Sequence, residues 1–175
     1  MFQKNDLIFY GSAGVCRVDD ISKPPKSYPI GQDQLYYKLT PLYDTSEIFT
    51  PVDTKVFMRP VITRSEAEAL IRRIPAIGPD DFASDKRMEM MDHYRGLLNS
   101  HSCETLLRLI KTLYLRAQNN IHLGRTPSAM EQDFRKRAES LVYGELAVAL
   151  DTTVQNIEEE VTPAIEASGQ LAREA

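Results

Sequence analysis

Hydrophobic and polar positions follow different periods in the two halves of the chain. Within residues 1–60, short apolar runs alternate with segments that contain glycine or proline, a pattern typical of strands joined by turns. The runs lie at residues 7–10, 15–18, 34–40, 47–50 and 55–59. So many short strands in so short a stretch predict a small, strongly bent antiparallel sheet or barrel.

Turn-forming residues separate these predicted strands. Gly11 and Gly14 flank the break between the first two runs, and glycine allows the positive φ angles of a tight turn. Residues 7–18 are therefore predicted to form a hairpin. Residues 22–33 hold three prolines and one glycine and are predicted to form a loop. Pro60 ends the last strand, because proline cannot donate to a strand ladder.

From residue 65 onward, the apolar positions recur at helical spacing. Two Ser-x-x-Glu sequences, Ser65 to Glu68 and Ser128 to Glu131, are typical of capping boxes at helix N-termini. The pattern predicts helices over residues 65–74, 84–98 and 102–119, and a last long helix from residue 128.

Prolines and glycine at residues 75–79 indicate a linker between two domains. The sequence therefore predicts an α+β protein with a β domain of residues 1–75, a helical domain of residues 83–150 and an acidic tail of residues 151–175. Within the tail, the chain from Ile157 either forms a short helix that Pro163 interrupts or stays mobile.

Charge is distributed unevenly along the chain. The net charge of −4 divides into −1 for residues 1–82, +2 for residues 83–150 and −5 for residues 151–175. The helical part is mildly cationic without its tail, so the negative total does not exclude contact with nucleic acid. No apolar run reaches the ~18 residues of a membrane span. With two cysteines and no secretory signal, a cytoplasmic protein with reduced thiols is predicted.

Motifs that carry catalysis or bind cofactors are weak in this sequence. It has no glycine-rich phosphate loop and no Gly-x-Ser-x-Gly elbow, and its three histidines lack metal-ligand spacing. We therefore predict a protein that is not an enzyme and takes no cofactor, metal or small-molecule substrate. A hydrolase would need His93, Cys103 and Glu104 to line one deep pocket.

The basic run Arg135-Lys136-Arg137 is the clearest candidate binding surface. At about 100° per residue, Lys136 points away from the apolar stripe of its helix, and the two arginines lie on its borders. Such a cluster either binds phosphates or forms an ordinary polar helix face. An edge strand of the N-terminal sheet is a second candidate, since such edges accept partner strands.

The order of short motifs along residues 2–150 resembles the CarD/CdnL family of bacterial RNA polymerase-binding transcription regulators. Each motif alone is modest, and the resemblance rests on their order. In the first half the matching stretches are Asn5 to Tyr10, Ala13 to Val18, Tyr36 to Leu39, Phe49 to Val52 and Met58 to Ile62. In the second half they are His93 to Arg95, Leu113, Ser128 with Glu131, Ala138, and Gly144 to Ala147.

The resemblance implies a Tudor-like N-terminal barrel, of a kind that also occurs in transcription-repair coupling factor, followed by a helical bundle. The barrel would dock on the β subunit of RNA polymerase through edge-strand pairing. By position in the family pattern, the polymerase-binding residues are Lys23, Pro24, Phe49 and Thr50.

The resemblance also implies that the helical domain contacts promoter DNA non-specifically and stabilises the open complex. By position, the DNA-binding residues are Met90, Arg95, Gln132 and Arg137, with Arg135 and Lys136 adjacent.

This chain has no tryptophan, although many relatives wedge one against the minor groove. Met90, or Arg87 under another alignment, takes that position. Phe49 and Gln132 stand where basic residues are common, so weaker DNA contact is expected. The missing tryptophan and the acidic tail favour an alternative, a protein–protein adaptor without functional DNA contact.

Overall fold

The protein forms two compact units, residues 1–61 and a second unit that begins at Ile62. This computed structural model describes residues 1–29, 31 and 33–174, with residues 170–174 described by their helical backbone alone. The first unit is a β sheet and the second is helical, which confirms the predicted α+β class.

Among the residues that the structure describes, five antiparallel strands build the N-terminal unit in the order β4-β3-β2-β1-β5. Within the described residues, β4 and β5 each pair with a single neighbour and form the two edges of the sheet. The strands are β1 (Leu7–Tyr10), β2 (Gly14–Ser22), β3 (Tyr36–Pro41), β4 (Ile48–Pro51) and β5 (Met58–Pro60). The small core of this unit contains Ile8, Cys16, Val18, Tyr37 and Leu39.

The hairpin between β1 and β2 forms where the glycines predict it. Gly11 and Gly14 have φ angles of 42° and 74°, in the region that favours glycine. The register shifts between Val18 and Asp20, so one extra residue of β2 stands against β3. Such a bulge increases the local twist of a strand.

The described part of the second unit contains five α-helices, whose apolar stripes share one core. The central pair, α3 and α4, packs together along its length. The helices are α1 (Arg64–Arg73), α2 (Arg87–Leu98), α3 (Cys103–His122), α4 (Ala129–Ala149) and α5 (Val154–Glu174). A 3-10 turn, Ile74–Ala76, follows α1.

The division between the units differs from the predicted linker at residues 75–79. Helix α1, assigned by the sequence to the β domain, contributes buried Ala67 and Leu70 to the core of the helical unit. The proline segment after it is anchored to the same unit, because Lys111 Nζ donates to the Ile74 and Ile77 carbonyls at 2.8 and 2.5 Å. Proline here ends a helix without separating two folded units.

Helix α1 begins two residues earlier than the predicted capping box. Thr63 is the N-cap: its hydroxyl accepts from the Glu66 N–H at 3.2 Å, and the Glu66 carboxylate accepts from the Thr63 N–H at 2.7 Å. Thr63 to Glu66 has the same spacing as Ser65 to Glu68, so two overlapping boxes were available. The structure uses the earlier box, and α1 buries Ala67 and Leu70.

The acidic segment folds as helix α5, and Pro163 does not interrupt it. Ile157, Val161 and Ile165 are each at most 1% exposed and lie in the helical core. Pro163 itself is exposed, so the Glu159 carbonyl that loses its helical partner lies on the solvent side. Burial of the apolar stripe therefore outweighs the missing hydrogen bond.

Candidate functional site

Strand β4 offers an open backbone edge at Phe49. Val52 N–H donates to the Leu35 carbonyl at 3.0 Å, and the register pairs Thr50 with Tyr37 two residues further along. Every second pair of an antiparallel ladder exchanges hydrogen bonds, so the N–H and C=O of Phe49 point away from β3. β4 thereby presents the Phe49 N–H and C=O to a further strand.

The side chains of these two β4 residues are in different environments. The ring of Phe49 is partly exposed, and its centroid lies 4.7 Å from that of Tyr28. Thr50 is 3% exposed, and its backbone faces β3. Phe49 and Tyr28 can therefore contact a partner at this edge, whereas the buried side chain of Thr50 cannot.

Lys23 and Pro24, the other predicted polymerase-binding residues, directly follow β2. Cross-strand pairing aligns Ser22 with Tyr36 and Tyr36 with Pro51, so Lys23 leaves the sheet at the end where β4 finishes. Lys23 is exposed and Pro24 is buried. The fold therefore brings the four predicted residues to one end of the sheet, with Lys23 and Phe49 accessible.

Helix α2 carries Met90 and Arg95, which differ in exposure. Met90 is 4% exposed and packs in the helical core, so its side chain cannot reach a base step in this conformation. Arg95 is exposed and its Nη1 lies 2.7 Å from Asp92. Met88, 62% exposed in the first turn of α2, is the accessible apolar residue that sequence periodicity missed.

Helix α4 presents its basic run to solvent, as the helical spacing predicts. Gln132, Lys136 and Arg137 are exposed, while Arg135 is partly buried. Arg135 Nε lies 2.7 Å from Glu139, and its guanidinium lies 5.4 Å from the centroid of the Tyr114 ring.

Arg137 and Lys136 differ in their partners on this face. Arg137 Nη1 lies 3.8 Å from Asp133, so its charge is partly compensated. For Lys136, no ion pair with another described residue is found. It is therefore the least compensated cation of the run.

Helix α5 adds acidic side chains beside this face. A shallow groove is lined by Lys136, Glu139, Ser140 and Tyr143 of α4, together with Val154 and Glu158 of α5. The Tyr143 hydroxyl also lies 3.3 Å from that of Thr162. The acidic segment therefore lies next to the basic run instead of extending freely from the bundle.

A buried polar network fixes α2 against α3 and α4. The Tyr94 hydroxyl donates to Glu131 Oε1 at 3.0 Å, and Arg116 Nε donates to the same oxygen at 2.7 Å. Burial, with the nearby Glu131 charge, raises the pKa of Tyr94 well above its ordinary range. The Ser128 hydroxyl accepts from Glu131 N–H at 3.4 Å, so Ser128 caps α4 as predicted. The Glu131 carboxylate bonds to Tyr94 and Arg116 rather than closing a capping box.

The three residues of the hydrolase hypothesis have separate partners. His93 contacts Asp80 and stacks on Phe82 with ring centroids 4.1 Å apart. Cys103 Sγ donates to the buried Glu145 at 3.0 Å, and Glu104 pairs with Arg73 at 2.9 Å. These contacts assign all three side chains to roles that stabilise the helical unit.

The described part of the chain contains neither a metal-binding cluster nor a helix suited to cross a membrane. No group of three or more His, Cys, Asp or Glu side chains there could hold a metal ion. None of the described helices combines the length and apolar character that a bilayer crossing requires. The exposed β4 edge and the basic face of α4 are the two candidate binding surfaces among the described residues.

Comparison with known protein families matches residues 2–62 to the model described as CarD-like/TRCF RID domain. The matched segment coincides with the N-terminal unit and covers about a third of the chain. A comparison with curated proteins finds no match. The match confirms the resemblance drawn from the ordered motifs of the first half.

Proposed function

Residues 2–62 are a CarD-like/TRCF RID domain, a domain of the RNA polymerase-interacting type, and from this premise we propose that the protein is a transcription regulator. The N-terminal unit docks on the polymerase β subunit, and the helical unit contacts promoter DNA without reading its sequence. The proposal places the protein in the cytoplasm, where bacterial polymerase works.

The β4 edge carries the polymerase-binding part of the proposal. Strand addition uses main-chain hydrogen bonds for affinity and side-chain contacts for specificity. Phe49 supplies an outward N–H and C=O, and its ring with that of Tyr28 supplies an apolar contact. Lys23, which follows β2, adds an exposed positive charge at the end of the sheet where β4 finishes.

A pair of substitutions at one position tests this docking mode. Phe49→Pro removes the outward N–H and is compatible with an edge strand, whereas Phe49→Ala removes only the ring. Edge pairing predicts that Phe49→Pro weakens binding of the full chain to the purified β lobe by about tenfold or more beyond Phe49→Ala. Equal affinities of the two variants would show that β4 does not pair with the polymerase.

Helix α4 carries the DNA-binding part of the proposal. Lys136 and Arg137 are exposed on one face with Gln132, and cations there can neutralise phosphates without base contacts. The partial compensation by Asp133 and Glu139 makes the expected affinity low. Met88, rather than the buried Met90, is the apolar side chain able to meet the groove.

Charge reversal tests this surface. Changing Arg135, Lys136 and Arg137 to Glu should weaken binding to a mixed-sequence duplex and reduce the salt dependence of the binding that remains. Reversal of exposed Lys4 and Lys26 of the N-terminal unit serves as the control. Unchanged affinity in the α4 variant would show that this face does not contact DNA.

A polymerase-binding adaptor without functional DNA contact is the second candidate. It is favoured by the burial of Met90 and by the carboxylates that pair with Arg95 and Arg135. Open-complex lifetime separates the two candidates. The regulator lengthens or shortens that lifetime through α4, whereas an adaptor leaves it unchanged.

A further inference from the structure

Helix α5 is attached to the helical unit through its apolar stripe. Ile157, Val161 and Ile165 are buried in the core, and Gly169 approaches α3 so closely that a Cβ there would lie 3.0 Å from Leu115 Cδ2. α5 is therefore held at one position on α3 and α4. Its polar face has a fixed place beside the basic run.

That polar face is strongly acidic. Glu158, Glu159 and Glu160 are consecutive and exposed, and residues 151–175 together carry a net charge of −5. Glu158 lines the same groove as Lys136. A duplex that approaches Lys136 would thus bring its phosphates next to the Glu158 carboxylate, where like charges repel each other.

We infer that helix α5 competes electrostatically with DNA for the basic face of α4. In this arrangement, Glu158 lowers the affinity of Lys136 for DNA phosphates. The inference rests on the proposed DNA contact and specifies its regulation. Binding to DNA alone is kept weak, and docking on the polymerase supplies the local DNA concentration that makes the contact effective. Free protein consequently does not bind appreciably to chromosomal DNA away from the polymerase.

Four variants of the full chain test this inference by fluorescence anisotropy with a mixed-sequence duplex. They are E158Q, E166Q, K136Q and K136Q/E158Q. E166Q makes the same charge change on the same helix, about 12 Å from Glu158 along the axis. At about 0.1 M salt that separation exceeds the Debye length of about 10 Å. Thermal melting of each variant confirms that the bundle remains folded.

E158Q is expected to tighten DNA binding by about two- to fivefold, the size of one exposed charge interaction, with a smaller change in E166Q. In the K136Q background, the gain from E158Q should be smaller, because the compensation of Lys136 is absent and only the repulsion between Glu158 and the phosphates remains.

Two results would contradict this account in different ways. If K136Q weakens binding but E158Q and E166Q have equal effects, the competition is absent and the proposed DNA surface remains. If K136Q binds DNA as tightly as the unmodified chain, Lys136 does not contact DNA, and both the proposed DNA surface and the proposed competition are wrong.

Discussion

Single buried residues explain much of how the helical unit is held together. Lys111, Glu131 and Glu145 are at most 6% exposed, and each has specific polar partners. Glu145 Oε1 accepts from the Ile62 N–H at 3.0 Å, at the residue where this unit begins. A buried charge costs free energy unless its hydrogen bonds are satisfied, so loss of one of these partners should destabilise the helical unit.

Replacement of Lys111 tests the importance of one such contact. K111M leaves the Ile74 and Ile77 carbonyls without their donor, and each unsatisfied buried acceptor costs about 1–3 kcal/mol. We expect the free energy of unfolding to fall by about 2 kcal/mol or more in urea denaturation. The control R108M changes an exposed residue of the same helix and should stay within about 0.5 kcal/mol. Equal stabilities of the two variants would contradict the expectation.

The same residue predicts a pH dependence of stability. Burial lowers the pKa of Lys111 in the folded chain below its ordinary value of 10.5. Between the lowered pKa and 10.5, the unfolded chain therefore binds more protons than the folded chain. Stability rises with pH where the unfolded state holds more protons. The free energy of unfolding of the unmodified chain, relative to K111M, should therefore increase as the pH rises through this window. Denaturant titrations up to pH 10.5 measure it, and a flat or falling difference would be inconsistent with the burial.

At the scale of elements, periodicity predicted most of the helices and strands. The β1–β2 hairpin and helices α2, α3 and α4 lie where the apolar spacing placed them, with shifts of a few residues at their ends. The sequence was misleading at Pro163, because a proline inside a helix is costly by local rules. Its exposure on the solvent side of α5 is a consequence of tertiary packing, which periodicity alone does not reveal.

A core substitution in α5 tests whether the acidic segment is part of the folded unit. Ile157 is 1% exposed, and I157A should lower the free energy of unfolding by about 2–4 kcal/mol. Gln155, exposed two residues earlier, supplies the control Q155A, which should change stability by about 0.5 kcal/mol or less. If both variants unfold at the same denaturant concentration, α5 does not contribute to the core.

At the scale of the whole molecule, two units carry two different candidate surfaces. The ordered motifs of the first half identified the RID domain, which the family match confirms. The predicted site residues were only partly accessible: Phe49 and Lys136 reach solvent, whereas Thr50 and Met90 are buried. A family pattern assigns positions, but the exposure of each side chain depends on contacts between elements distant in sequence.

The proposed docking of β4 on the polymerase is tested most directly by amide exchange. NMR-detected hydrogen exchange of the full chain, with and without the isolated β lobe, reports protection of individual backbone N–H groups. Edge pairing predicts that the Phe49 amide becomes protected on binding, while amides of the opposite edge strand, at Met58 and Arg59, keep their rates. Protection confined to β5 or to the helical unit, with Phe49 unchanged, would contradict the account.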